Sequence, residues 1–431
     1  MRLSRERVVE LDRRHVWHPY TPMARWLASD PIVVTGARGS RFFDADGRSY
    51  FDANASWWCA ALGHGHPRLL AALAEQAAAF AHVPFGGITH EPAARLASEL
   101  VSVAPPGLEH VFYSDDGSTA IEAALKLAAG YWSRSGRPER KRFLALEGAF
   151  HGETLGAALL GGVEVFRQGV SGLLVDCVRV PPGDAGHTRA FDVLAAALRE
   201  HAGELAGVVL EPVLQGASGM RVYDPSFLRA ARELTREHDT FLVLDEVFTG
   251  YGRTGPMWAA EHASVAPDLL CLGKGFTGGL LPMAATLATP RVFSAYLGEP
   301  SRAFFHGHTF CGNPLGARVA LEVLAVYRDE RILDGAALKA RRIAEAFRAF
   351  GSLPGVTATR SLGMMGALDL AGSGYLDDVG PRIFEEARRR GAYLRPLGST
   401  VYVTPALNVP DADLDELLGI VEETVKAVAA G

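Results

Sequence analysis

Between residues 66 and 330 the chain repeats one pattern: a short, continuous apolar run followed by a polar or glycine-rich loop. HVFYSDDG, RFLALEGAF, GVVLEPV, TFLVLDEV and DLLCLGKG are the clearest cases. Helical stretches, such as residues 119–131 and 225–237, lie between several of them. Continuous rather than alternating hydrophobicity predicts strands covered on both faces, hence a large, mainly parallel sheet in an α/β/α domain. Residues 31–55 alternate instead, and RFFDADGRSYFD around Asp46-Gly47 predicts a hairpin. The first fifteen residues predict a short helix. It breaks at His18-Pro19-Tyr20-Thr21-Pro22, because proline pushes its predecessor out of helical geometry. Beyond residue 330 the pattern predicts a helix over 334–350, strands over 363–370 and 401–404, and a last helix over 411–429. The expected organisation is a large domain over 66–330 and a smaller α+β domain over 331–431. The segment 1–65 is expected to pack with that smaller domain, so that both chain ends build it.

Composition narrows the classes. The 431 residues are 48% hydrophobic and 21% charged, enough for large cores and too apolar for a disordered or fibrous chain. A net charge of −6 gives no basic footprint for nucleic acid. The longest uncharged stretch, near 276–290, is broken by prolines and threonines and too short to span a bilayer. The start, MRLSRERVVELDRRHVW, lacks an apolar signal core, so a cytoplasmic location is expected. Cys59, Cys177, Cys271 and Cys311 form no CxxC pair, which suits reduced thiols better than a disulfide or zinc framework; no metal is expected.

In open parallel sheets ligands gather at the carboxyl ends of strands, and three features stand there. VFYS runs into Asp115-Asp116-Gly117-Ser118-Thr119 and then a helix. Thr119 with Glu122 reads as a capping box, and the free N–H groups of such a start favour an anion. An ordinary capped helix accounts for the same residues, and Asp116 repels a phosphate unless it turns away. Asp245 ends FLVLD after four apolar residues, where a carboxylate needs a partner: an arginine, a metal, or a cationic heterocycle. No HxxE, HxH or second aspartate at ligand spacing supports a metal there, since Glu246 points to the opposite face. Lys274 follows DLLCL between Gly273 and Gly275. Only five of the 43 basic side chains are lysines, and Lys126, Lys141, Lys339 and Lys426 sit in solvated or basic contexts. A desolvated lysine loses pKa and becomes a nucleophile and base; a structural loop lysine is the plainer alternative.

A phosphate cradle, a strand-end aspartate and a strand-end lysine together meet the needs of pyridoxal 5′-phosphate. The lysine forms a Schiff base with its aldehyde, the aspartate keeps the pyridine nitrogen protonated, and the helix start holds the phosphate.

LVLDEVFTGYGRTG (242–255), PDLLCLGKGFTGGLLPMAA (267–285) and HGHTFCGNPLG (306–316) resemble the class III aminotransferases of pyridoxal-phosphate fold type I, over nearly the whole chain. The resemblance implies an enzyme that is a homodimer with active sites at the interface. It implies that Lys274 is the Schiff-base lysine and Asp245 the partner of the pyridine nitrogen. It puts Asp116, Gly117 and Ser118 on the phosphate loop, and His308 and Thr309 against the cofactor of the neighbouring subunit. Val247 and Phe150 then cover the two ring faces. WHPYTPM (17–23), NASWWCAALGHGHP (54–67) and YLRPLGSTVYVTP (393–405) resemble the biotin-synthesis branch of that family. That branch transfers an amino group from S-adenosyl-L-methionine to 8-amino-7-oxononanoate, giving 7,8-diaminononanoate, in a ping-pong scheme with Lys274 moving the proton. By this resemblance Tyr20, Trp57 and Trp58 line the substrate channel and Gly307 contacts substrate, as do Phe150 and Lys274. Arg395 binds the far carboxylate, a role its guanidinium fork suits, and Arg253 is a second candidate for it. Two adjacent tryptophans in a strand cannot face the same way, so one of the pair is a candidate core residue. Gly275, Gly278 and Gly279 are expected to leave space around the lysine. The family usually has tyrosine where this chain has Phe150, and a neutral residue where it has Asp116. Lysine as amino donor, another class III ω-aminotransferase activity, and a non-catalytic binding protein of the same fold are the alternatives.

Overall fold

The computed structural model describes residues 3–167, 171–173, 177–183, 188–372, 376 and 378–430. Its centre is a seven-stranded sheet whose strands are, in chain order, β1 (His110–Ser114), β2 (Arg142–Leu146), β3 (Val178–Val180), β4 (Leu205–Leu210), β5 (Phe241–Asp245), β6 (Leu269–Leu272) and β7 (Ala284–Ala288). Their spatial order is β1-β7-β6-β5-β4-β2-β3. All neighbours are parallel except β7, which runs antiparallel to both β1 and β6. The continuous apolar runs have the expected cause: every residue of β4, β5, β6 and β7 is buried. Two strands of this sheet escaped the sequence reading. β3 is only three residues long, and β7 lies in the alanine- and threonine-rich stretch AATLA, which lacks the Val/Ile/Leu signature.

Helices cover both faces. Gly117–Arg134 packs its alanine-rich side on the sheet, with Ala120, Ile121, Ala124 and Ala128 against Val209, Val243 and Cys271. Pro314–Asp329 packs with Pro67–Ala79 and Glu91–Val103. The later part of the chain forms a three-stranded antiparallel sheet, Val356–Leu362, Met365–Leu370 and Thr400–Val403, under the helix Ile332–Phe350. Gly366 is needed there because Phe347 and Ile343 occupy the place a Cβ would take. The predicted hairpin is Arg41–Asp44 against Ser49–Asp52, closed by Asp44, whose Oδ1 accepts from Asp46 and Arg48 N–H. Ala392–Tyr393 adds to Ser49–Asp52 as a parallel strand, joining the two ends of the chain in one sheet. Among the described residues no helix is long and apolar enough to cross a membrane, and the four cysteines form no disulfide.

Candidate active site

β5 and β6 lie side by side with Asp245 opposite Cys271, so Asp245 and Lys274, 29 positions apart in sequence, emerge at the same sheet edge. β1 is parallel to β6 through the antiparallel β7, so the start of the helix Gly117–Arg134 arrives at that edge too. These ends enclose a cavity of about 380 Å³ lined by Lys274, Asp245, Gly117, Ser118, Phe150 and Val247 among others. That size lies within the usual range for a small-molecule site.

Lys274 has φ 46°, a left-handed conformation that non-glycine residues adopt at a cost, and its amine lies 5.0 Å from the centroid of the Trp58 ring. Burial pushes the amine below its ordinary pKa, with Asp245 and Glu211 opposing that shift. The flanking glycines have another cause than the one expected. A Cβ on Gly275 would press on Tyr251, one on Gly278 on Leu69, and one on Gly279 on the Ala60 backbone. They permit close packing rather than open space around the lysine.

Asp245 is held on two sides. His151 Nδ1 lies 2.7 Å from Oδ2, and the Val247 N–H donates to Oδ1 at 3.0 Å. Burial pulls the His151 pKa down, but the hydrogen bond and charge of Asp245 outweigh it and the net shift is upward. Glu211, at the exit of β4, accepts from the Phe150 and Gly216 N–H groups at 3.0 and 2.9 Å. Burial pushes its carboxyl up to about 7. Glu246 turns away, accepting from Thr249 Oγ1, Ala259 N–H and Ala260 N–H. Neither His151 nor Glu211 was singled out from sequence. Glu211 carries the signal that marked Asp245, a carboxylate closing an apolar run.

The helix cap is one turn earlier than the sequence suggested. Asp116 is the N-cap: its Oδ1 accepts the Thr119 N–H at 2.9 Å, while Thr119 Oγ1 accepts the Asp116 N–H at 3.0 Å. The carboxylate is thereby spent on the third N–H of the helix, and the N–H groups of Gly117 and Ser118 have no intrahelical partner. The cradle is tight. A Cβ on Gly117 would come 2.5 Å from Val247 Cγ1, and one on Gly152 (φ +121°) would collide with Ser118 Oγ. Buried amine, anchored carboxylate and glycine cradle together fit an aromatic aldehyde that bears a phosphate and a ring nitrogen.

Trp57 and Trp58 do not lie in a strand. Ala55, Ser56, Trp57 and Trp58 have φ 44°, 47°, 65° and 76°, a left-handed turn tied down by Ser56 Oγ on Asp52 Oδ2 at 2.7 Å. The turn sends the two rings apart, and Trp58 is the core member of the pair, 7% exposed in a cluster with Leu214, Phe248 and Tyr402. Trp58 lines the main cavity, its Nε1 donating to Tyr402 Oη at 3.2 Å and its ring 4.4 Å from Phe248. Trp57, 39% exposed, lines a second cavity together with Arg395, whose guanidinium sits 4.2 Å above its ring. Tyr20 lines the main cavity, edge-on to Trp57 and donating to Glu153 Oε1 at 2.8 Å. Arg253 is elsewhere: 2% exposed, it donates to the carbonyls of Met364 and Pro405 and lines neither of these cavities. Gly307 and Thr309 are exposed and lie outside the lining of the main cavity, while the His308 N–H donates to Cys311 Sγ.

The family model described as aminotransferase class-III matches residues 23–425. The adenosylmethionine-8-amino-7-oxononanoate aminotransferase of Geobacter sulfurreducens is 39% identical, covering 97% of each chain. The crystal structure of the protein of that name from Methanocaldococcus jannaschii superposes with a TM-score of 0.95 at 31% identity, covering 98% of this chain and 99% of its own. An amine transaminase from an uncultivated Pseudomonas species, solved in its PLP-bound form, gives a TM-score of 0.90 at 30% identity over 96% and 98% of the two chains.

Proposed function

The chain belongs to the class III aminotransferases, and from that membership we propose that it transfers an amino group from S-adenosyl-L-methionine to 8-amino-7-oxononanoate, giving 7,8-diaminononanoate for biotin synthesis. The observation that carries the reading is the buried Lys274 amine at the same sheet edge as the anchored Asp245 carboxylate, above a glycine-lined helix start. Relatives that bear the name of this reaction supply the substrate pair.

Pyridoxal 5′-phosphate, the family's cofactor, supplies when bound an aldehyde for Lys274 and a ring that takes up the electron pair left as the donor carbon loses its proton. Asp245 would hold the proton of the ring nitrogen, and Val247 and Phe150 would cover the ring. The Gly117 and Ser118 N–H groups would take the phosphate, with Asp116 turned to its cap. Lys274 Nζ removes the proton from the amine-bearing carbon of the donor. In the second half it returns one to the carbon of the acceptor that receives the amine. Burial lowers its pKa, which raises the neutral fraction available for that work. Trp58 and Tyr20 wall the channel, and Trp57 holds Arg395 flat for the acceptor's distant carboxylate.

The smaller unit is proposed to comprise 1–65 and 331–431, supported by the strand that joins Tyr393 to Asp52, with 66–330 as the cofactor domain. A homodimer is proposed, in which Gly307, His308 and Thr309 serve the neighbouring site. Support comes from the exposure of that segment, where Phe305 is 82% and Phe310 55% exposed. A cytoplasmic location is proposed, supported by Cys59, Cys271 and Cys311, none of which is in a disulfide.

The test is a half-reaction. Holoenzyme absorbing near ~420 nm, a cofactor property, should bleach on mixing with S-adenosyl-L-methionine. Bleaching by lysine alone overturns the donor, and bleaching by neither overturns the reaction. Lys274→Ala should lose more than about 10⁴-fold in turnover, since both covalent link and proton carrier are gone.

A further inference from the structure

Asp115 lines the main cavity and His308 belongs to the segment assigned to the neighbouring site, yet the side chains of Asp115, His308 and Cys311 have no role in the proposed reaction, and they converge. One ligand atom from each lies within 4.8 Å of the others. His308 Nδ1 is buried without a hydrogen-bond partner, 3.4 Å from Asp115 Oδ2. That separation is long for a charge-assisted hydrogen bond. It matches the ligand edge of a tetrahedral ion, where bonds of ~2.0–2.1 Å separate two N/O ligands by about 3.3–3.4 Å. The thiol belongs to the same arrangement. Residues 308–311 form a turn closed twice, by the Cys311 N–H on the His308 carbonyl at 3.2 Å and by the His308 N–H on Cys311 Sγ at 3.1 Å.

We propose that Asp115, His308 and Cys311 form a three-ligand site for a divalent cation of the zinc class at the rim of the active-site cavity. One carboxylate oxygen, one imidazole nitrogen and one thiolate are the donor set such an ion takes, with a fourth position for water. Asp115 directly follows β1 and lines the cavity, so the ion pins the turn 308–311 to the loop that leads from that strand into the phosphate cradle. Sequence spacing alone does not reveal the site, because Asp115 is remote from the His-x-x-Cys pair. The proposal does not depend on which amines the enzyme uses.

Holoenzyme freed of adventitious metal by dialysis against a chelator is titrated with Zn²⁺ in competition with a chromophoric chelator. The X-ray absorption edge of the bound zinc is then recorded. One zinc per chain with a single sulfur ligand is expected. Cys311→Ser and His308→Asn should each weaken binding by at least ~100-fold, more than loss of an outer-sphere partner costs, while Cys59→Ser leaves it unchanged. If Cys311→Ser fails to fold, shown by loss of cofactor absorption, His308→Asn carries the same comparison. No uptake at one zinc per chain, a spectrum without sulfur, or unchanged affinity in the variant tested overturns the site.

Discussion

Asp245 is backed by His151, whose Nδ1 lies 2.7 Å from its Oδ2 with both side chains buried. The pair fixes the carboxylate plane at the end of β5, so the acid meets a ring nitrogen with its direction already set. It also concentrates charge in an apolar site, where Glu211 and Lys274 feel it.

Removing the histidine tests that arrangement. His151→Ala should cost about 3–5 kcal/mol of stability, the usual penalty for orphaning a buried charge, and should weaken cofactor retention. The folded pKa of His151 is raised, so its contribution is complete below the ordinary histidine value and fades as pH climbs through the shifted one. Denaturant midpoints of wild type and His151→Ala should therefore converge with rising pH. A constant gap at all pH values would mean that packing alone is lost.

Glu211 makes a second titration visible. Its carboxyl is pushed up to about 7, so the native state holds that proton more tightly than the unfolded chain. Stability from this group falls as pH rises from the ordinary glutamate value of 4.5 towards about 7. Glu211→Gln should flatten that part of the pH–stability curve and keep the slope due to His151. Superimposable curves for wild type and variant contradict this assignment.

What the sequence made legible follows from where the physics is local. Strand-end positions of Asp245 and Lys274 show in the apolar runs before them, because a fully buried parallel strand leaves no polar position until it ends. The cap lies three residues before the predicted one, because Asp116 and Thr119 each satisfy the pattern of a capping residue and tertiary folding decides which N–H each accepts. The left-handed turn at Trp57-Trp58 has no local signature. It exists because Asp52 holds Ser56 and because Asn54 accepts the Arg395 N–H from the far end of the chain. Arg253 has the guanidinium of a carboxylate ligand, but two carbonyls remote in sequence, those of Met364 and Pro405, occupy it.

Arg395 is the acceptor-recognition test. An ionic hydrogen-bonded pair contributes about 1.5–3 kcal/mol, so Arg395→Ala should raise the KM for 8-amino-7-oxononanoate by about 10- to 100-fold. The amide analogue of the acceptor, lacking the charge, should bind the variant and wild type about equally. If the variant still prefers the acid over the amide as wild type does, Arg395 is not the carboxylate ligand.

The cradle can be tested at its tightest point. Val247 Cγ1 fills the notch between two glycines: a Cβ on Gly117 would lie 2.5 Å from it and one on Gly273 3.2 Å. A methyl at 117 must displace either Val247, which covers a ring face, or the helix start that offers N–H groups to the phosphate. Either shift disturbs cofactor contacts without touching Lys274 or Asp245. Gly117→Ala should weaken cofactor binding at least tenfold, roughly 1.4 kcal/mol, read from absorbance during reconstitution. Val247→Ala empties the notch, so the double variant should bind better than the two single losses sum to, a coupling expected of residues in direct contact. Strict additivity would locate the damage in the helix start rather than in Val247.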